Sequence, residues 1–549
     1  MPAKVTSRWS ETSILICLVV YRAINACLVK TYFSPDEYWQ ALEVGHKITF
    51  GYGYLTWEWD VGLRSVLHPA FFAALYKVLD LLGLDDGSVF IYAPRVLQAV
   101  FAALGDLYAY RFALRLFENQ LVANWTLFLS VASWWNFFCS TRTLANSTEA
   151  SLTIMALYYW PFNTPSGEHT RSFGDKVLGT SPNKQGSLTL SLAIASLTCI
   201  FRPTAAILWL FLGVALVLGY IRDGKLASVV STLISAVLIG GVAILGSAIL
   251  DSTLLYGHWI MTPLNFLRVN VLEGISLFYG SSPWHWYLSQ GIPILFGIYI
   301  PLVLYGIWRS CKATTSLNQG LKSQVLGVCL WVLVVYSSLQ HKEWRFLYPI
   351  LYPLLPFGAD TLYAWFLSPK GWQKSRTAWA VVLVLVVVNG VMAWYTALVH
   401  QRGVVDVMDW LREEMRAERV RSVGMLMPCH STPWYSSVHL KDVEPVDMWF
   451  LTCEPPLGNI DASKYEDESD IFYKNPEAFM ISRSSKVPES RNSKSTYGDA
   501  SHLLLFDVLV PTLKPWLTSN GYNECARFFN SHFHDDSRRR GDVVVYCKV

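Results

Sequence analysis

The sequence predicts an α-helical protein that crosses a membrane many times and ends in a water-facing α/β domain. Hydrophobic residues make up 52% of the 549 residues and charged residues only 15%, a balance that argues against a soluble globular enzyme and against a disordered chain. The apolar residues recur in runs near the roughly 20 residues that span a bilayer. A net charge of +3 without any basic block argues against nucleic acid as the partner.

The first part of the chain is predicted to be a membrane domain, residues 13–399, after a short cytoplasmic N-terminus, residues 1–12. We expect about 11–12 spans. They lie at 13–30, 95–110, 121–140, 148–162, 187–201, 204–221, 226–250, 289–308, 323–340, 346–367 and 378–399. Whether the segment 67–83 forms a twelfth span is left open, because it carries Lys77 and Asp80. The first run is interpreted as an uncleaved span rather than a secretory signal.

Sidedness follows from lysine and arginine, which in short loops mark the cytoplasmic face. Loops 309–322 and 368–377 hold basic residues and no acid, so we place them there. The opposite, non-cytoplasmic face then holds 31–66, 142–147, 202–203, 251–288, 341–345 and 400–549. This requires that 67–83 does not cross or that another segment is re-entrant, and the sequence leaves both options open. Nearly all of the polar chemistry falls on that non-cytoplasmic face.

Two adjacent carboxylates, Asp36 and Glu37, follow the first span among aromatic residues. A carboxylate at the membrane surface is a candidate general base if it lies within hydrogen-bond reach of an acceptor hydroxyl. The alternative is that Asp36 caps a short helix and Glu37 faces water.

The loop 251–288 is long and rich in tryptophan, tyrosine, histidine and asparagine, and contains Trp284, His285 and Trp286. Apolar faces with hydrogen-bonding tips suit a bound lipid-linked sugar. The alternative is an interfacial belt of aromatic anchors. A histidine between two tryptophans is harder to explain in that way.

Four ionisable residues, His341, Lys342, Glu343 and Arg345, lie within five positions between two spans. Cations at such a place can hold a phosphate leaving group, lysine as a point charge and arginine through its planar fork. The alternative is a polar turn whose charges pair with one another.

Arg142 and Arg202 each lie at the non-cytoplasmic end of a span. They either snorkel to the interface or converge with the 341–345 turn into an anion site. The sequence has no phosphate-binding glycine loop, no dinucleotide fingerprint and no zinc-like ligand spacing. These negative findings argue against ATP and sugar nucleotides and favour a sugar carried on a membrane lipid phosphate.

The tail, residues 400–549, is predicted to be a small α/β domain. Strand-like runs occur at 421–427, 447–452, 502–507 and 542–547, and helical patterns at 404–418 and 508–519. The serine- and lysine-rich stretch 482–500 is expected to be disordered. The tail also holds four cysteines, Cys429, Cys453, Cys525 and Cys547. They form two disulfides with three possible connectivities in an oxidising compartment, or they remain free buried thiols.

Taken together, the motifs resemble those of a known family. Pro35-Asp36-Glu37, the loop 283–287 and His341-Lys342-Glu343-x-Arg345-Phe346 are similar to motifs of the family 22 glycosyltransferases. The resemblance covers about residues 12–400. Further stretches resemble the members that act in glycosylphosphatidylinositol (GPI) anchor assembly. These stretches are 52–59, 400–403, 427–433, 470–473 and 534–536.

This resemblance implies the multi-span C-type glycosyltransferase fold in the endoplasmic reticulum membrane. It implies inverting α-1,2 transfer of the third mannose from dolichyl-phosphate mannose to the two-mannose GPI precursor on the lumenal face. Asp36 would be the general base, and Glu37 would position or replace it. We expect no cofactor and no metal, since dolichyl-phosphate mannose is a co-substrate and basic groups can stabilise its phosphate. The candidate phosphate ligands are Arg142, Arg202, His341, Lys342 and Arg345, and the candidate groove residues are Trp284, His285 and Trp286.

Three other functions remain open. A transporter would show inverted repeats with polar groups at midplane, whereas we find no internal repeat and the polar groups lie in loops on one face. A non-catalytic, lipid-binding subunit would support GPI assembly even with Asp36→Asn. A sister mannosyltransferase of the N-glycan precursor would differ only in its acceptor. The sequence predicts no protein partner.

Overall fold

The computed structural model describes residues 10–162, 184–275, 278, 280–313, 318–366, 376–441, 443–457, 465–490 and 494–548. The chain divides into two compact units. Unit 1 comprises Met1–Ala26, Arg95–Phe266 and Tyr279–Ala393. Unit 2 comprises Cys27–Pro94, Leu267–Phe278 and Trp394–Val549. The tail, residues 400–549, lies in unit 2 together with residues 27–94, which follow the first span.

The chain up to the tail is helical in its described regular elements. The helices are α1 Glu11–Leu28, α2 Glu43–Phe50, α3 Trp57–Asp60, α4 Leu67–Leu81, α5 Gly87–Phe117, α6 Gln120–Ala132, α7 Trp134–Cys139, α8 Ala145–Tyr159, α9 Lys184–Phe201, α10 Ala206–Arg222, α11 Leu226–Asp251, α12 Thr262–Leu267, α13 Ile292–Phe296, α14 Ile300–Lys312, α15 Gln319–Ser338, α16 Tyr348–Phe366 and α17 Arg376–Leu398. Among the described residues, 7 helical stretches are long and apolar enough to cross a membrane. The protein is therefore a multi-pass membrane protein.

Each predicted span contains a helix, which confirms the predicted architecture. The open segment 67–83 is α4, a helix of 15 residues. α4 has the same number of residues as α8, one of the predicted spans. Within unit 2, α4 lies close against α2, since a Cβ on Gly45 would come within 3.1 Å of the Pro69 carbonyl oxygen. Without a crossing at α4, the remaining spans satisfy the predicted alternation of faces.

A buried ion pair joins α1 to α5 in unit 1. The Nε and Nη2 atoms of Arg22 donate to the two carboxylate oxygens of Asp106 at 2.7 and 2.9 Å, and neither side chain is exposed. The Ser130 hydroxyl donates to the same carboxylate at 2.5 Å, which adds α6 to the contact. An ionisable residue inside a span needs such a partner, and this one explains why the first apolar run tolerates an arginine.

The tail forms a five-stranded sheet with helices, which confirms the predicted α/β domain. Its elements are α18 Gly403–Arg416, β1 Ser422–Met425, α19 Tyr435–Val438, β2 Asp447–Phe450, α20 Glu468–Lys474, α21 Pro476–Arg483, β3 His502–Phe506, α22 Val510–Ser519, β4 Tyr522–Ser531 and β5 Gly541–Lys548. The strand order is β2-β1-β3-β5-β4. β1 pairs parallel with β2 and β3, whereas β5 pairs antiparallel with β3 and β4. The sequence patterns missed β4, because this edge strand is mostly polar and exposed.

Within 482–500, the structure describes residues 482–490 and 494–500, and residues 491–493 lie outside the described part of the chain. Tyr497 is 1% exposed in the hydrophobic core of unit 2, and its hydroxyl donates to Glu468. The Ser495 hydroxyl donates to Asp447 at 2.6 Å. One core tyrosine and a few hydrogen bonds hold a segment whose composition alone predicts disorder.

The four tail cysteines form two disulfides, Cys429–Cys453 and Cys525–Cys547. The structure thereby selects one of the three connectivities and removes the alternative of free thiols. The first bridge joins the segment after β1 to the segment after β2, and the second joins the paired strands β4 and β5.

Candidate active site

Asp36 and Glu37 lie in unit 2, in a tight turn between the end of α1 and a short helical turn at Tyr38. The backbone N–H groups of Tyr38 and Trp39 donate to the Pro35 carbonyl at 3.0 and 2.9 Å. Glu37 is completely buried, whereas Asp36 is only half-buried. Asp36 is therefore the more accessible of the two carboxylates, and Glu37 does not face water as the alternative interpretation required.

A distant segment of the tail, residues 428–433, packs against this turn within unit 2. The Tyr32 hydroxyl donates to the His430 carbonyl at 2.6 Å, and Trp39 Nε1 donates to the Thr432 carbonyl at 2.9 Å. The His430 and Trp39 rings lie 4.2 Å apart between centroids. Residues nearly 400 positions apart in the chain therefore form one wall around Asp36.

His430 is held in an unusual conformation. Its backbone φ of 53° lies in the left-handed region, which non-glycine residues seldom adopt, and the residue before it is fixed by the Cys429–Cys453 disulfide. Burial lowers the pKa of His430 to about 3, helped by Arg539 and opposed by the charge of Asp36. The imidazole is therefore neutral near pH 7, and the Asp36 carboxylate lies within its electrostatic reach.

The same residues do not fit a metal ion. Among the described residues, Cys429, His430 and Cys453 offer ligand atoms within 4.8 Å of one another. The disulfide between the two cysteines removes both thiolates, and a cysteine binds a metal ion as its thiolate. The imidazole alone would make a poor site.

In unit 1, the 341–345 turn pairs part of its charge internally. Arg345 donates to Glu343 through Nε at 2.6 Å and Nη2 at 2.9 Å, and His341 Nε2 lies 3.3 Å from the same carboxylate. Burial opposes ionisation of Glu343, but Arg345 and His341 hold its pKa well below the usual range. Lys342 donates to the backbone carbonyls of Ser282 (2.9 Å) and Leu339.

The segment that contains Trp284, His285 and Trp286, which we call the tryptophan-histidine loop, packs onto that turn within unit 1. The Ser282 N–H donates to the Gln340 carbonyl at 2.9 Å, and the Trp286 and Trp344 rings are parallel at 6.3 Å. Trp284 is 68% exposed, and His285 is exposed as well. The two loops therefore form one surface, and its most accessible groups are Trp284 and His285.

Arg202 and Arg345 are linked through Asn146, also within unit 1. Arg202 Nη1 donates to Asn146 Oδ1 at 2.9 Å, and Asn146 Nδ2 donates to the Arg345 carbonyl at 3.3 Å. The Arg202 guanidinium also lies over the Phe346 ring, 5.0 Å from its centroid. This is the convergence of two basic segments that an anion site needs.

Glu149 is the residue that the sequence patterns missed. Its Oε2 lies 3.1 Å from Arg202 Nε, and the side chains are 3% and 11% exposed. A carboxylate within a predicted span is itself a signal of function, and Glu149 is the one charged residue of the span 148–162. Asn146 begins the glycosylation sequon Asn146-Ser147-Thr148. At 1% exposure, Asn146 is inaccessible for glycosylation in the folded protein.

Arg142 behaves differently from Arg202. It is completely buried, so it does not snorkel to an interface. Its Nε donates to the Phe138 carbonyl at 2.8 Å, and the guanidinium lies 4.3 Å from the centroid of the Phe138 ring.

The predicted site residues are divided between the two units. Asp36 and Glu37 belong to unit 2, and all the predicted substrate-binding residues belong to unit 1.

Comparisons with known proteins agree with this architecture. A family model described as the Alg9-like mannosyltransferase family matches residues 13–439. The chain is 39% identical over 545 residues to GPI mannosyltransferase 3 of Yarrowia lipolytica, covering 97% of this chain and 96% of that protein. It is 36% identical over 539 residues to GPI alpha-1,2-mannosyltransferase 3 of Homo sapiens, covering 97% and 86%. Among solved structures, ArnT from Cupriavidus metallidurans bound to undecaprenyl phosphate matches with a TM-score of 0.54 at 12% identity, covering 98% and 97%.

Proposed function

The chain belongs to the Alg9-like mannosyltransferase family, and we propose that it adds the third mannose, in α-1,2 linkage, to the GPI precursor. The observation that carries this proposal is near full-length similarity to relatives named for that step in fungi, frog and human. The predicted family is confirmed. So is the glycosyltransferase fold, since the ArnT structure matches over nearly the whole chain.

The donor is dolichyl-phosphate mannose, and the acceptor is the GPI intermediate with two mannoses. The acceptor hydroxyl oxygen attacks the anomeric carbon of mannose, the bond from that carbon to the phosphate oxygen breaks, and dolichyl phosphate leaves. The configuration at the anomeric carbon inverts. Because phosphate is a good leaving group, the reaction needs a base for the acceptor proton but no acid for the leaving group.

Asp36 is the base in this scheme. Three observations support it: a tight turn presents the carboxylate, its neighbour Glu37 is fully buried, and the imidazole of His430 nearby is neutral. Glu37 is buried within the turn and supports its conformation rather than contacting substrate. The carboxylate of Asp36 takes the acceptor proton as the new glycosidic bond forms.

The charge on the leaving phosphate is balanced by Arg202 and Arg345, with His341 beside them. Arg202 donates to Asn146, whose amide donates to the Arg345 backbone carbonyl, and the Arg345 guanidinium donates to Glu343. These contacts support the role, because pre-oriented arginine forks suit phosphate oxygens. Lys342 and Arg142 act through the backbone they hold. Trp284, His285 and Trp286 line the lipid-sugar groove, where aromatic faces suit an apolar carrier and its sugar. This chemistry uses no metal ion or cofactor.

The reaction takes place at the lumenal face of the endoplasmic reticulum membrane. The distribution of basic residues among the loops supports this orientation. Two disulfides in the tail support an oxidising compartment for unit 2.

The test is mannose transfer by the purified full-length protein in lipid vesicles. Labelled dolichyl-phosphate mannose is supplied with the two-mannose GPI intermediate and, separately, with the dolichol-linked N-glycan precursor, each with and without a metal chelator. We expect transfer to the GPI intermediate alone, unchanged by the chelator. Transfer to the N-glycan precursor instead would overturn the acceptor, and loss of activity with the chelator would overturn the metal-free mechanism. Solute uptake without transfer would favour a transporter.

A further inference from the structure

Unit 2 carries a cluster of exposed aromatic side chains drawn from two distant stretches of the chain. Trp394 is 56% exposed, Phe529 44% and Phe533 63%. Together with Tyr395 they form a surface that we call the aromatic patch. Large apolar side chains grouped in this way on a surface mark an interaction site more often than scattered ones do.

Within the aromatic patch, Phe533 stacks on Tyr395, and Phe529 is joined to Tyr395 through His532. The Phe533 ring lies parallel to Tyr395, at 6.1 Å, and to His400, at 5.1 Å. The Tyr395 hydroxyl and His532 Nδ1 are 3.1 Å apart, and His532 also contacts the Phe529 ring at 4.8 Å. The patch is therefore a built surface rather than a set of loose side chains.

The position of the patch along the chain identifies its partner. Trp394 and Tyr395 lie near the C-terminal end of α17, which is long and apolar enough to cross a membrane. Phe529 and Phe533 lie at the end of β4 and just after it. Aromatic residues at the end of a span lie at the level of the lipid headgroups, so residues stacked on Tyr395 lie at that level too.

The backbone holds the two stretches in register. The N–H groups of Gln401 and Arg402 donate to the Asn530 carbonyl at 2.8 and 3.3 Å. Gly403 allows the close approach, because a Cβ there would lie 2.8 Å from the Phe529 carbonyl oxygen. The end of β4 therefore keeps a fixed height relative to the end of the span.

The polar groups around the patch suit a headgroup layer rather than the hydrocarbon core. His532 is exposed beside the aromatic rings, and the exposed Asp535 and Arg540 follow within eight residues. Aromatic rings mixed with imidazole and charged groups resemble an interfacial anchor. A buried protein interface would instead be depleted in charged residues.

We propose that the aromatic patch is a membrane-contact surface, in which Phe529 and Phe533 insert into the headgroup layer of the phospholipid bilayer and hold the end of β4 against it. The inference does not depend on the enzymatic function. It concerns the part of unit 2 that follows α17.

The test uses a photoreactive phenylalanine analogue, benzoylphenylalanine, introduced at position 533 or 529 of the full-length protein. The matched control is the same analogue at Ile481, which is 65% exposed on α21 of the same unit. Each protein is placed in phosphatidylcholine vesicles and irradiated, and the labelled peptides are analysed by mass spectrometry. Unchanged disulfides and elution volume confirm that each variant is folded.

We expect lipid adducts at 533 and 529 in several-fold excess over those at 481. Equal or absent lipid adducts at the patch would overturn the proposal. Adducts to a second protein chain in place of lipid would also overturn it and would make the patch a protein-docking surface.

Discussion

The carboxylate of Glu149 lies 3.1 Å from the Nε atom of Arg202, and both side chains are nearly buried. Glu149 comes from α8, and Arg202 lies between α9 and α10. An arginine held by a buried carboxylate presents its remaining N–H groups in a defined direction. The pair thus orients one of the two arginines that we assign to the donor phosphate.

Glu149→Gln should weaken binding of the donor, because the neutral amide no longer fixes the Arg202 guanidinium. A hydrogen bond to a charged group contributes about 1.5–3 kcal/mol, so the KM for dolichyl-phosphate mannose should rise about tenfold or more. Initial rates at varied donor concentration measure this. The control is Asp223→Asn, which removes an exposed ion pair with Lys225 and should leave KM unchanged. An unchanged donor KM in a folded Glu149→Gln protein would contradict the assignment.

Asp36→Asn should abolish most of the turnover while leaving the protein folded. General base catalysis contributes roughly 10²–10⁴-fold, and the amide cannot accept the acceptor proton. The turnover number is measured with both substrates saturating. Asp60→Asn, at an exposed carboxylate of the same unit, is the control and should retain full activity. Wild-type turnover in Asp36→Asn would contradict the general-base assignment and would leave Glu37 and Glu343 as the candidate bases.

The two disulfides allow a matched comparison of stability and activity. They close chain separations of 24 and 22 residues, so removing either should cost a similar free energy of unfolding, about 3 kcal/mol. Only Cys429→Ala/Cys453→Ala should also reduce the turnover number, because that bridge fixes the segment beside Asp36. Thermal unfolding and mannose transfer, both measured below the unfolding range, test the difference. Equal activity losses in Cys525→Ala/Cys547→Ala would refute this positioning role.

Acid should destabilise unit 2 through its buried histidines. Burial, with His439 adjacent, lowers the pKa of His46 to about 3, below the usual value near 6.5. The unfolded chain therefore takes up a proton first, and the stability contributed by the neutral ring is present above pH 6.5 and lost as the pH falls towards 3. At pH 5 the loss is about 2 kcal/mol.

His46→Gln should therefore reduce the drop in thermal midpoint between pH 7 and pH 5, without removing it, since burial also lowers the pKa of His68 and His430 to about 3. His258→Gln, at an exposed ring, serves as the control and should show the wild-type pH dependence. An identical drop in His46→Gln and wild type would show that this histidine does not couple protonation to folding.

Much of the fold could be predicted from local sequence patterns. A bilayer requires each span to be continuous and apolar. Spans such as α11 and α17 can therefore be located from the hydrophobicity of their own residues. The 341–345 turn and the tryptophan-histidine loop were recognised for the same reason, since their charged and aromatic residues are neighbours in the chain. For 482–500 the composition predicts disorder, and only the tertiary structure shows that Tyr497 belongs to the hydrophobic core of unit 2.

Relations between distant segments could not be predicted in this way. Nothing near Tyr32 in the chain indicates that its hydroxyl meets the His430 carbonyl, and nothing near Arg202 indicates Glu149. Such pairs depend on which surfaces come together when the whole chain packs, and many alternative pairings have the same local pattern. Local hydrophobicity is set by the residues themselves, whereas the electrostatic environment of a carboxylate or an arginine is set by whatever the fold places beside it.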